Sequence, residues 1–203
     1  MKPLLKLIFI SLLICPPAVF SLITGEDAIG KFRARMLGIH KLTGVFSLTE
    51  ESGQLQTGSF KYLAPDKIYV KFTSPAGKVL VSNGKKLWVY NSGNNVCGVQ
   101  DLAAQSVSGG IAGMVQGYNA IVSPRGSDGF TIKLKNNDKQ YTDVVLRVDS
   151  SFMLKKAVFK NKDGKKFSFT LSNVSTTQEV MKNIFDYSVP TNAQVVQNPM
   201  NVR

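Results

Sequence analysis

A mainly β fold with a helical minority, built as one large, strongly curved antiparallel sheet with helices over its inner face, is predicted by three observations. Short runs rich in Val, Phe, Tyr and Thr, separated by turn residues, fill 42–99. Strict apolar–polar alternation returns between 130 and 173, and only two stretches carry helical spacing. Neither an internal repeat nor a Pro- or Ser-rich linker divides the 203 residues, so a single domain is expected over 22–203. A chain of this size buries roughly 70% of its unfolded surface, which is enough to fold without a disulfide framework or a structural metal.

At the N-terminus, Lys2 and Lys6 precede an apolar run from Leu7 to Cys15, followed by Pro16, Pro17 and the stretch Ala18 to Ser21. The run is too short to span a bilayer, and Val19 and Ser21 stand where a signal peptidase reads its site, so residues 1–21 read as a secretory signal. Lipidation of Cys15 is a rival reading, disfavoured by the bulky Ile14 before it and Pro16 after it. Cleavage after Ser21 leaves Cys97 as the remaining thiol, with no intrachain disulfide and a buried strand position expected for it. Losing Lys2 and Lys6 lowers the net charge from +12 to +10. An exported chain this basic meets anionic lipid surfaces rather than DNA or RNA, and no nucleic-acid partner is expected.

Thr24 opens the first helix as its cap, with Asp27 three residues on; Ile29, Phe32 and Met36 recur at helical spacing and Gly38 marks the end. Strands are then expected near 43–49, 55–63, 67–73, 78–82, 86–91 and 95–99, with Asn83-Gly84 as a two-residue hairpin turn whose residues accept positive φ. The stretch 101–117 spaces Leu102, Ala103, Val107, Ile111, Met114 and Val115 as a helical stripe. Gly109, Gly110, Gly113 and Gly117 each raise its ordering cost by about 1 kcal/mol relative to Ala, so a mobile lid is expected there. Beyond it, Phe130, Ile132 and Leu134 alternate with Thr131, Lys133 and Lys135, and Val144, Leu146 and Val148 share one face of the next strand. Strands at 154–160 and 165–173 join across Asp163-Gly164, and the tail from Thr191 is read as irregular.

The chemistry that the sequence excludes is as informative. One His and two Cys cannot supply a clustered zinc or iron–sulfur site, and no G-x-S-x-G, P-loop, Rossmann or H-E-x-x-H motif is present, so no enzyme activity and no cofactor are expected. His40 reads as a helix-end residue. Several strands are apolar on both faces: Ile68, Val70 and Phe72 oppose Tyr69, and Leu87 and Val89 oppose Trp88 and Tyr90. Either both faces are packed, as in a layered sandwich, or part of the inner face is a cavity for an apolar ligand. Between 131 and 166 stand ten Lys or Arg against four Asp. Lys155, Lys156, Lys160, Lys162, Lys165 and Lys166 within it are either a solvated edge that deters aggregation or a docking patch for anionic lipid or an acidic partner.

Gly58, Phe60, Tyr62, Pro65 and Ile68, then the run Val81 to Tyr90 with Asn83, Gly84, Lys85, Leu87 and Trp88, resemble the periplasmic outer-membrane lipoprotein carrier family, the LolA-like proteins. A G-x-F-x-Y-x-x-P element is followed by a V-S-N-G-K-x-L-W-x-Y hairpin at family-like spacing. Phe185, Tyr187 and Pro190 are similar to its closing F-x-F/Y-x-x-P element. The resemblance implies an incomplete antiparallel β-barrel of about eleven strands, covered by helices and enclosing a hydrophobic cavity. It implies a monomeric periplasmic carrier that ferries acylated lipoproteins from an inner-membrane ABC transporter to an outer-membrane acceptor. On that reading Phe60, Tyr62, Ile68, Val70, Phe72, Leu87 and Val89 line the acyl-chain cavity, and Leu102, Ile111, Met114 and Val115 belong to the lid. The family's best-known members carry an arginine directly before the motif's Pro, where it ties lid to barrel; here Ala64 stands there. A carrier or sensor of another lipid or glycolipid is the alternative, and a secreted hydrolase using a Ser the more distant one.

Overall fold

The computed structural model describes residues 23–102, 113 and 115–199. Helix α1 (Gly25–Leu37) starts where its sequence signal does: the Thr24 hydroxyl accepts from the Asp27 N–H at 3.1 Å and donates to the Asp27 carboxylate at 2.7 Å. Its buried face carries Ala28 and Phe32. A Cβ on Gly25 would fall 2.0 Å from the carbonyl oxygen of Ala120, so glycine is what lets the helix begin this close to the sheet.

Twelve strands follow: β1 (Lys41–Thr49), β2 (Leu55–Leu63), β3 (Lys67–Ser74), β4 (Ala76–Asn83), β5 (Lys86–Asn91), β6 (Val96–Asp101), β7 (Asn119–Pro124), β8 (Phe130–Lys135), β9 (Tyr141–Val148), β10 (Leu154–Asn161), β11 (Lys166–Ser175) and β12 (Gln194–Gln197). They form one curved open sheet in the order β12-β6-β5-β4-β3-β2-β1-β11-β10-β9-β8-β7, antiparallel except for the parallel pair β12–β6. The mainly β, helix-covered incomplete barrel expected from the sequence is therefore present. Chain order places β6 and β7, separated by only residues 102–118, toward opposite edges.

Three expectations need correction. Asp101 ends β6 rather than opening a helix, and sits across from Lys86 at 3.9 Å. Strand β7 was not foreseen, and the tail from Thr191 is not wholly irregular, since Gln194–Gln197 forms β12; before it, Lys182–Phe185 forms a 3-10 turn. In the β4–β5 hairpin, Gly84 alone takes a positive φ, of +88°. Asn83 instead uses its side chain, whose Oδ1 accepts from the N–H groups of Lys85 and Lys86 at 2.9 Å each. The Asp163-Gly164 turn is as expected, with Gly164 at φ +79°.

The main core lies on the inner face of β8–β11 under α1. Ala28 and Phe32 pack there with Ile132, Leu134, Val144, Leu146, Val148, Leu154, Ala157 and Phe159, all 2% exposed or less. Rings extend this core along the sheet: Phe159 stacks on Phe167 with centroids 4.5 Å apart, and Tyr141 meets both edge-on.

The β9–β10 connection is held by Asp149, whose Oδ1 accepts from the Ser151 N–H at 2.9 Å, the Ser151 hydroxyl at 2.7 Å and the Met153 N–H at 3.0 Å. Lys155 pairs with its other oxygen at 3.2 Å. Burial alone would raise the Asp149 pKa, but these bonds outweigh it and hold the carboxyl below its usual value. A folded-state value below the unfolded one stabilises the protein above the ordinary carboxylate range, and that contribution is lost as pH falls through the folded value. In melts across pH, Asp149→Asn is expected to lie furthest below wild type at neutral pH, the gap closing on acidification.

Candidate functional site

The strand registers settle which side chains share the inner face beyond the core. Phe60, Val70, Leu80 and Val89 stand opposite one another across β2, β3, β4 and β5 in one continuous apolar row. The next row toward the β4–β5 turn contains Tyr62, Ile68, Ser82, Leu87 and Gln100. Phe72 lies on the same face at the far end, edge-on to Phe46 at 5.2 Å, with the Lys78 ammonium 5.0 Å from its ring centre. All seven residues expected to line a cavity therefore lie on β2, β3 and β5 and share one face of the sheet, with Leu80 of β4 between them, and it is the face that β8–β11 present to α1.

Their packing differs from that of the α1-covered half. Phe60 is buried, but Tyr62, Ile68, Val70, Phe72, Leu80, Leu87 and Val89 are all only half-buried. Burial, and then the nearby Asp66 carboxylate, push the Tyr62 hydroxyl pKa upward. Ser82 satisfies its hydroxyl on the Asp66 carbonyl at 3.1 Å.

Two glycines shape this wall. A Cβ on Gly58 would lie 2.3 Å from the Lys71 carbonyl oxygen and 2.6 Å from the Phe46 ring, and one on Gly44 would lie 2.9 Å from the Phe60 ring. Phe46 and Phe60 thus lie flat over glycines of neighbouring strands instead of standing up into the space above the sheet. Because the backbone oxygen beside Gly58 cannot step aside cheaply, Gly58→Ala is expected to destabilise the fold by about 1–3 kcal/mol, read as a lower urea midpoint with unchanged slope.

Among the described residues, two pockets lie near this face. One, of about 720 Å³, lies at the end of the inner face where Leu48 and Phe167 meet Glu50, Glu51, Ser52 and Lys165. The other, of about 630 Å³, runs between α1 and the approach to β7, with Arg33, Glu26, Ile29 and Val115 among its walls. None of the seven residues borders either pocket; they floor the stretch of inner face beyond them. Leu48, Phe167, Phe46 and Leu80 were missed by sequence reasoning, although strand alternation marks them once register is known.

The expected lid divides. Leu102 donates its N–H to the Lys85 carbonyl at 2.8 Å and is half-buried. Val115, 1% exposed, packs into the core with Ala28 and Phe32 of α1. Ile111 and Met114 lie outside the described residues. Ala64 donates its N–H to the His40 carbonyl at 2.8 Å and offers no side chain that could latch anything.

The outer face has two unlike halves. Over β3–β6 it is apolar and covered: the 3-10 turn packs on β3 and β4 with Phe185 fully buried, and Tyr187 stands 6.4 Å from Trp88. Cys97 faces this side, fully buried, and burial raises its thiol pKa. Over β8–β11 the outer face is basic. Of the six lysines expected to form a patch, Lys156, Lys160 and Lys166 lie on it, while Lys162 and Lys165 lie beside the β10–β11 turn and Lys155 is engaged by Asp149.

A curved, open antiparallel sheet with a helix over one half of its inner face and a half-buried apolar wall along the other defines a carrier of the half-barrel class. The chain belongs to the LolA family: the family described as "Outer membrane lipoprotein carrier protein LolA" matches residues 38–188. An outer-membrane lipoprotein carrier protein of Shewanella sp. (strain MR-7) is 28% identical over 204 residues, covering 96% of each chain. Its counterpart in Shewanella pealeana is 25% identical over 180 residues, covering 84% of this chain and 85% of its own. Among solved structures, an uncharacterized conserved protein from Thermus thermophilus superposes with a TM-score of 0.59 at 13% identity, over 85% of this chain and 98% of its own. A chain of the Pseudomonas aeruginosa MucA/MucB complex does so at 0.57 and 12% identity, over 85% of this chain and 63% of its own. These two likenesses concern the fold.

Proposed function

We propose that this protein is a periplasmic carrier that shields the acyl chains of lipoproteins against its inner face and ferries them from the inner to the outer membrane. The observation that carries the reading is the row Phe60, Val70, Leu80 and Val89, a continuous apolar strip whose last three members are only half-buried, on the face that closes the core elsewhere. Removing an acyl chain of about sixteen carbons from water gains on the order of 12 kcal/mol at about 0.8 kcal/mol per methylene, ample for capture. Release then requires that burial be incomplete, so that an acceptor with a slightly better cavity can take the cargo. A half-buried wall suits that requirement. An inner-membrane ABC transporter as donor and an outer-membrane acceptor are the partners this role needs.

The test is to purify the protein from its native envelope and identify what co-elutes by mass spectrometry. Acylated lipoproteins are expected. Free lipid or glycolipid alone would reassign the same wall to another cargo, the alternative that Ala64 keeps in view, and an empty protein would overturn the carrier reading.

A further inference from the structure

The basic half of the outer face is organised in rows by the strand registers. Lys135, Asp143, Lys160 and Lys166 stand opposite one another across β8–β11, and so do Thr131, Arg147, Lys156 and Thr170. Between these rows runs a third, Ile121, Lys133, Val145, Val158 and Ser168, whose aliphatic members begin with the 68% exposed Ile121. No ion pair among the described residues takes Lys133, Lys135, Arg147, Lys156, Lys160 or Lys166. Asp143 is the one acidic side chain in the rows and is half-buried, accepting from the Thr142 hydroxyl at 3.0 Å. The remaining acids of the region lie at its margins: Asp128 pairs with Arg125 in the β7–β8 connection, Asp149 is engaged by Ser151, Met153 and Lys155, and Asp138 and Asp163 sit in turns.

The two outer halves thus have opposite fates. The apolar half is covered by the protein's own C-terminal segment, while no element among the described residues covers the basic half. We propose that the outer face of β7–β11 docks the protein flat on an anionic phospholipid bilayer. Cations in the flanking rows meet lipid phosphates, and the Ile121–Val145–Val158 band meets the interface between them. Two features favour a bilayer over nucleic acid. The face is a broad sheet with aliphatic groups at its centre, and the rings of β8–β11 (Phe130, Tyr141, Phe159, Phe167 and Phe169) pack with the inner core, leaving none to stack a base. This surface is separate from the acyl-chain wall, so each proposal can fail alone.

The test is co-sedimentation of the full-length protein with vesicles of phosphatidylcholine alone or enriched in phosphatidylglycerol. Binding is expected only to the anionic vesicles, weakening as salt shortens the screening length. At about fivefold per cation near a charged surface, Lys133→Gln, Arg147→Gln and Lys156→Gln combined should lower binding about a hundredfold. Lys71→Gln, Lys85→Gln and Lys182→Gln combined remove the same charge from exposed sites elsewhere and should change it far less. Equal losses from both triples would overturn the proposal in favour of net charge. So would failure to bind anionic vesicles at physiological salt, or tighter binding of an RNA oligonucleotide by the same six side chains. Unchanged circular dichroism and inner-face cargo in the first triple would keep a loss of binding from being a loss of fold.

Discussion

Val70→Glu is expected to abolish retention of acylated cargo, by about a hundredfold, while leaving the protein folded. Val70 stands mid-row between Phe60 and Leu80 and is half-buried, so in the empty protein a carboxylate there keeps contact with water. An acyl chain laid along the row would strip that water. Desolvating the charge against hydrocarbon costs about 3 kcal/mol or more, and every 1.4 kcal/mol is about a factor of ten in affinity. Val45→Glu is the matched control: Val45 is of the same type, 40% exposed, and faces outward between Ser59 and Ser172. The measurement is the quantity of lipoprotein co-purified with each variant, alongside circular dichroism. Cargo retained equally by Val70→Glu and Val45→Glu would remove the inner wall from the carrier's mechanism.

How far this wall was legible follows from what sets each element. In β8 and β11 alternation alone sorts inner from outer residues, because one face is buried and the other polar. In β3–β5 it does not: Tyr69, Val81, Trp88 and Tyr90 are apolar on the outer face as well, and the reason is a C-terminal segment about a hundred residues away in the chain, beyond the reach of local periodicity. Strand β7 was hidden for a related reason. Its inward residues, Ala120 and Val122, are small, its outward Ile121 is bare, and an edge strand needs only one partner to hold it. Strand β12 is four residues whose order comes from parallel pairing with β6, a long-range cause. The basic patch was legible as composition and misplaced as geometry. Lys155 and Lys156 are sequence neighbours, yet the pleat and a register shift separate them, while Lys133, Lys135 and Arg147 join Lys156 from other strands.

That same C-terminal segment sets the second large effect. Phe185→Ala is expected to cost about 3–5 kcal/mol, lowering the melting temperature by on the order of 10 °C, because a fully buried ring is replaced by a void. Its consequence should be local to the outer face of β3–β6. Phe185 ends the 3-10 turn that packs on β3 and β4, and two residues on Tyr187 stands beside Trp88, its hydroxyl pKa raised by burial and then by Cys97, Tyr90 and Tyr69. Loosening the turn therefore uncovers the side of the sheet on which Cys97 is buried. The protein carries its own reporter: in the wild type Cys97 is fully buried and free, its thiol pushed up by burial, so a thiol reagent should react slowly. Phe185→Ala should accelerate that reaction well below the melting temperature, whereas Val70→Glu, on the opposite face, should not. If Cys97 in Phe185→Ala stayed as protected as in wild type until global melting, the segment would be part of one cooperative unit with the sheet, and the picture of a separable cover on the outer face would have to be abandoned.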